Sequence, residues 1–241
     1  AMLWENKHNV GSLTFNPGDT EGGDLGRFTQ RTASLIQRAF QKPEVGATVS
    51  RGTRRTLEEI NRLYAEIPSI AFSPRSDRWN HLHRTRKRLT EGTRLRIVML
   101  GDSIVNDTAR SSYPLLLAEK HPNCRIDLVT SVRGSTGCWW YQENDRVKWM
   151  VLDQGPDLLV IGGISQRGDV AAIRKVVEHV RAEKPETDVL LMSGTFGRVD
   201  PLDEKVWDEI QSPGPEAYRT KLEALADELG VAYFDMRLAW G

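Results

Sequence analysis

The sequence predicts an α/β domain, a parallel sheet with helices on both faces, preceded by an irregular and partly helical extension. Three observations carry this. From Leu95 onward, short β-rich apolar runs alternate with helical stretches. The helical stretches repeat their apolar residues three and four apart. Residues 1–93 are polar and lack the alternation. Strands that alternate with helices pair in parallel, because each helix carries the chain back across the sheet. The expected architecture is a three-layer α/β/α sandwich on five parallel strands over 94–241, with 1–93 as an N-terminal extension.

The extension opens with turn signals at Asn16-Pro17-Gly18-Asp19 and Glu21-Gly22-Gly23-Asp24. A helix is expected over 27–40, with Phe28, Leu35, Ile36, Ala39 and Phe40 as its apolar stripe. A second is expected over 56–65. There Thr56 and Glu59 fit a capping box, and Leu57, Ile60, Leu63 and Tyr64 share a face. Residues 75–96 hold many Arg and Lys but only Asp77 and Glu91 as acids. Two readings are open: a polyanion patch, or a solvated helix leading into the core, which charge runs usually are.

In the α/β part, strands are expected at 95–100, 125–130, 158–162, 188–193 and 231–235. Helices are expected over 114–120, after Asp169 with Val170, Ile173, Val176, Val177 and Val180 facing inward, and over 215–229, ended by Gly230. Asp169 is the expected N-cap of its helix.

Lys+Arg and Asp+Glu both number 33, so no net charge draws the chain to nucleic acid or anionic membrane. No apolar run reaches the roughly 18–20 residues of a membrane span. A soluble protein is expected. Its compartment is open, a secreted or periplasmic one included if a signal has been removed from ahead of Ala1-Met2. The two cysteines, Cys124 and Cys138, match no metal spacing. They read as two buried thiols or as a single disulfide.

Ligands of parallel sheets bind beyond the carboxyl ends of the strands. Beyond the first strand lies Gly101-Asp102-Ser103, with Asn106 and Asp107 nearby. A serine at that sharp exit is a candidate nucleophile, or simply a helix cap. Beyond the second strand, Arg133-Gly134-Ser135-Thr136-Gly137 brings backbone close to a reacting group, and the Gly137 N–H could serve an oxyanion hole. Beyond the third, Ser165 and Gln166 offer a hydroxyl or amide donor, or cap a helix. Trp139-Trp140-Tyr141 could stack on a sugar, wall an acyl pocket or pack into the core. Arg133 and Arg167 flank the group. Gly194, Arg198 and Asp200 after the fourth strand could complete its rim.

These three segments, in this order, resemble the SGNH/GDSL hydrolases, serine esterases of flavodoxin-like fold. Ile97-Val98-Met99-Leu100-Gly101-Asp102-Ser103 fits their first block, and Gly134-Ser135-Thr136-Gly137 their second. The resemblance implies Ser103 as nucleophile, and the N–H groups of Ser103 and Gly137 as oxyanion donors. Asp102, Arg133, Trp139 and Arg167 are the expected substrate contacts. The third block departs: the family's Gly-x-Asn-Asp is Gly163-Ile164-Ser165-Gln166 here, so the asparagine's role falls to Ser165 or Gln166. The family's Asp-x-x-His, which supplies the general base, does not occur. It is expected beyond Gly241; an unconventional base and an inactive form are the other readings. His81 or His83 could substitute if the extension folds over the site.

The activity this resemblance implies is removal of a small acyl group, such as acetyl, from a carbohydrate or other small-molecule ester. A noncatalytic carbohydrate-binding or interaction module is the alternative. No metal, cofactor or nucleic-acid partner is expected, and the oligomeric state is open.

Overall fold

A computed structural model describes residues 76–195 and 212–240, together with the helical positions Glu58, Arg62, Ala65, Lys205, Asp208 and Glu209. The chain divides into two compact units, Ala1–Ala65 and Glu66–Gly241. The helix expected over 27–40 lies outside the described residues, and so does most of that over 56–65.

The second unit holds all five expected strands. After a 3-10 turn (Ser76–His81) come α1 (His83–Glu91), β1 (Leu95–Gly101), α2 (Ser103–Ala109) and α3 (Tyr113–Lys120). Then follow β2 (Ile126–Val132), the short α4 (Cys138–Tyr141) and α5 (Arg146–Met150), and β3 (Leu158–Ile161). The unit ends with α6 (Val170–Glu183), β4 (Asp188–Met192), α7 (Tyr218–Leu229), β5 (Ala232–Phe234) and α8 (Met236–Trp240). Every strand pair is parallel, in the order β2-β1-β3-β4-β5. This is the flavodoxin-like order of doubly wound sheets.

Alternation along the strands divides the core. Val98, Leu100, Leu159, Ile161, Val189 and Leu191 pack on one face beneath α4 to α7. Ile97, Met99, Leu158, Val160 and Met192 pack on the other, against residues of α1, α2 and α3. The predicted inward stripe of α6 holds: Ile173, Val176, Val177 and Val180 are buried. The Asp169 carboxylate accepts the Ala172 N–H at 2.9 Å, a cap worth about 1 kcal/mol. Gly230 ends α7 with φ +58, a left-handed conformation that favours glycine.

The basic segment belongs to this unit rather than to the extension. Arg78 is 3% exposed and donates to Glu223 at 2.9 Å and Asp227 at 3.0 Å. Arg84 and Arg88 both reach Asp157, and the Thr85 N–H meets Asp188 at 2.6 Å. Arg94 pairs with Asp127. These cations neutralise acids of the α/β unit, as in a docked helix. The two cysteines are free and buried in different cores, Cys138 on one face of the sheet and Cys124 on the other. The single-disulfide reading is thereby excluded.

Candidate active site

Parallel register brings three strand ends level. Gly101 pairs with Val132, and Leu100 with Ile161, so the loops leaving β1, β2 and β3 lie side by side. Their cross-connections are short.

Ser103 opens α2 directly after β1 and is partly exposed. Asp102, its neighbour, is 1% exposed. One carboxylate oxygen accepts from Ile104 N at 3.0 Å. The other accepts from Ile164 N at 2.8 Å and Ser165 N at 2.6 Å. A buried carboxylate with three backbone donors is satisfied. Asp102 was expected to contact substrate; it is instead the brace between the β1 and β3 loops. Gly163 makes room for it. A Cβ there would lie 2.5 Å from Asp102 Oδ1, and its φ of +99 is one that side chains rarely adopt.

Gly137 is the N-cap of α4. A Cβ on it would sit 2.7 Å from the Ser165 carbonyl oxygen and 2.8 Å from Gln166 Oε1. Only a glycine lets the β2 loop approach the β3 loop this closely. None of the described residues accepts a hydrogen bond from the backbone N–H of Ser103 or of Gly137.

Gln166 is 2% exposed. Its Oε1 accepts from Cys138 N at 2.8 Å, and its Nε2 donates to the Gly162 carbonyl at 2.7 Å. The Oε1 and one of the two Nε2 hydrogens are used, so Gln166 is a second brace, and its other Nε2 hydrogen has no acceptor among the described residues. Ser165 is partly exposed, and its hydroxyl makes no hydrogen bond among the described residues. It is the remaining side-chain donor of this loop.

Tyr141, which the sequence offers only together with Trp139 and Trp140, completes the frame. Fully buried, it donates to the Gly101 carbonyl at 2.6 Å and accepts from Arg133 N at 2.9 Å. Burial raises the pKa of this phenol, so it stays a proton donor. Its aromatic neighbours gave no sign that it differs from Trp139 and Trp140, which are only partly buried.

Ser103, Gly137 and Ser165 thus stand on three adjoining strand ends of a parallel sheet of flavodoxin-like order. By sequence, no family profile and no curated protein matches the chain. Among solved structures, the chain is similar to a two-domain esterase active on acetylated mannans, co-crystallised with mannopentaose. Identity is 16% and the TM-score 0.48, over 67% of this chain and 42% of that one. A second structure of such an esterase gives 15% and 0.49. A GDSL-like lipase from Bacteroides thetaiotaomicron gives 14% and 0.42, over 64% of this chain and 78% of that one. The chain thus spans less than half the length of the two-domain esterase.

No described histidine lies at the carboxyl edge of the sheet. His81 lies against Gly230, ahead of β5, and His83 begins α1, whose Thr85 binds the first residue of β4. Both are at the amino ends of the strands, which excludes the expectation that they fold over Ser103. His121 precedes β2, and His179 is exposed on α6. His8, Arg198 and Asp200 lie outside the described residues. Asp235, beyond β5, is engaged by Arg219 at 2.9 Å and caps α8 through Arg237 N at 3.0 Å.

The rim is aromatic and cationic. Arg167 lies 3.7 Å over the Trp139 ring, and Trp139 Nε1 donates to the Ser165 carbonyl at 2.9 Å. Arg133 and Arg146 lie 4.7 and 3.8 Å over Trp140. Asn106 is buried and within 3.4 Å of Asp107. Gly194 packs against Ile164, so the β4 loop touches the β3 loop. Among the described residues no cluster of His, Cys, Asp or Glu could hold a metal ion. No helix among them is long and apolar enough to cross a membrane.

Proposed function

We propose that this chain carries the nucleophile and oxyanion hole of a serine esterase, acting on a small acyl ester of a carbohydrate. The observation that carries the reading is the pair of uncommitted N–H donors, Ser103 and Gly137, on braced loops beside a partly exposed serine.

In this reading the Ser103 hydroxyl attacks the acyl carbonyl carbon and gives up its proton to a base. The carbonyl oxygen becomes an anion held by the N–H groups of Ser103 and Gly137, with the Ser165 hydroxyl as a third donor. Each such donor is worth about 10²–10³ in rate. The intermediate collapses, the sugar oxygen leaves with a proton, and water then cleaves the acyl-serine. The base is not among the described histidines. A serine site lacking one triad member keeps about 10³–10⁴ over water from the oxyanion hole and binding. The partly exposed Trp139 and Trp140 support a sugar, whose apolar faces stack on indole.

A second reading is a noncatalytic carbohydrate-binding module. It is favoured by the third block, where Ser165 stands at the position of the resembled family's asparagine and Gln166 gives its Oε1 and one N–H to the frame. Acetate release from acetylated oligosaccharides separates the two. The esterase reading expects release that Ser103→Ala abolishes. Binding without release, or release that survives Ser103→Ala, refutes it.

A further inference from the structure

Most arginines of this unit face a carboxylate or a carbonyl, as Arg78, Arg84 and Arg219 do. Within residues 76–195, the side chains of Arg86, Arg133 and Arg167 have no hydrogen bond or ion pair. Arg86 is on α1, at the amino edge of the sheet. The other two stand at the carboxyl edge, one on each side of the candidate site. Arg133 follows β2, its N–H bonded to the Gly101 carbonyl at 3.1 Å. Arg167 follows the loop that touches Asp102 and Gly137.

Each guanidinium is held by stacking alone, Arg133 on Trp140 and Arg167 on Trp139. Stacking fixes the plane and spends none of the five N–H donors. Arg146, on the same Trp140, is different: it donates to the Trp140 carbonyl and to Glu143. Arg167 also has a φ of +55, one of three non-glycine residues with positive φ among those described. Left-handed backbone at a bulky residue is disfavoured and clusters at ligand clamps. Two oriented, uncompensated guanidinium forks are suited to an oxyanionic group, which they bind with paired N–H donors.

We infer that Arg133 and Arg167 form an anion receptor, and that the ester substrate is an acidic saccharide bearing a carboxylate beside the acylated position. This rests on the esterase reading for the acyl group but not for the anion. The paired forks would hold the charged ring by its carboxylate. Discrimination then comes from the charge, since a neutral sugar leaves both cations unanswered.

The test uses the full chain carrying Ser103→Ala, so that catalysis plays no part. The probes are an acetylated glucuronic acid glycoside, its neutral methyl ester and the matching sugar sulfate, measured by calorimetry. The acid is expected to bind at least about tenfold more tightly than the methyl ester, with affinity falling as salt rises. Arg133→Gln and Arg167→Gln are each expected to cost about tenfold, and Arg86→Gln nothing. Equal binding of acid and methyl ester overturns the proposal, as does a preference that survives the double Arg133/Arg167 change, or no binding at all. Tighter binding of the sulfate overturns the choice of a carboxylate. Since neither side chain makes a hydrogen bond, both variants are expected to fold; the salt and methyl-ester comparisons on unaltered rims decide the matter if they do not. Failure of esterase activity alone leaves these outcomes readable.

Discussion

Asp102 Oδ2 accepts the backbone N–H of Ser165 at 2.6 Å, from a side chain that is 1% exposed. This bond ties the residue before the candidate nucleophile to the loop beyond β3. Two further N–H groups, of Ile104 and Ile164, meet the same carboxylate. Replacing it by alanine orphans three donors in a buried place. Asp102→Ala is expected to lose about 3 kcal/mol of folding stability, read as a lower midpoint in urea. A loss below about 1 kcal/mol would show that the brace is not there.

Gly137 approaches Ser165 and Gln166 so closely that a methyl group there collides with the backbone of both as well as with Gln166 Oε1. Gly137→Ala is expected to cost about 2 kcal/mol in stability. It also pushes the β2 loop away from the β3 loop, so any Ser103-dependent acyl transfer falls at least about 10²-fold. Unchanged turnover in a folded Gly137→Ala protein would remove Gly137 from the oxyanion hole.

Gln166 is expected to matter for folding more than for chemistry. Gln166→Ala leaves Cys138 N and the Gly162 carbonyl without their partners, a loss of about 2 kcal/mol. Thermal unfolding reads it. A fully stable Gln166→Ala protein with abolished turnover would instead give this residue a part in the chemistry.

The sheet was legible because its period is local. The apolar runs at β1, β3 and β4 and the stripe of α6 are written in consecutive residues, and the strands follow them within a residue or two. The placement of Ser103 and Gly137 beyond β1 and β2 was legible too, since each follows an apolar run. What adjacent letters could not show is who answers whom across the fold. Asp102 looks like a ligand contact until Ile164 and Ser165 are seen to consume it. Gln166 gives no sign of its part in the frame until Cys138 and Gly162 are in place. The basic segment likewise looks uncompensated until Asp157, Glu223 and Asp227, distant in sequence, come alongside.

Alkaline titration tests the burial of the tyrosines. Burial pushes the Tyr113 phenol up to about 12 and raises Tyr141, Tyr218 and Tyr233 as well. A phenol with a raised pKa holds its proton more tightly in the folded chain. Its contribution to stability is full below about pH 10 and is lost as pH rises through the folded value. Absorbance near the phenolate band is expected to rise late, with unfolding, between about pH 10 and 12. Ionisation of four tyrosines at pH 10 in the folded protein would contradict the packing.

Both thiols are buried, and burial raises the pKa of each. The thiolate is the reactive form. Ellman's reagent at mildly alkaline pH is expected to modify neither Cys124 nor Cys138 until urea unfolds the chain, and then both. Rapid modification of the native protein would place a thiol at the surface.

The most direct test of the account is covalent. Prolonged incubation with a fluorophosphonate, followed by peptide mass mapping, asks which hydroxyl sits beside the open amide donors. The account predicts one adduct, on Ser103, lost in Ser103→Ala and reduced in Gly137→Ala. An adduct elsewhere, or none while the protein is folded, would contradict it.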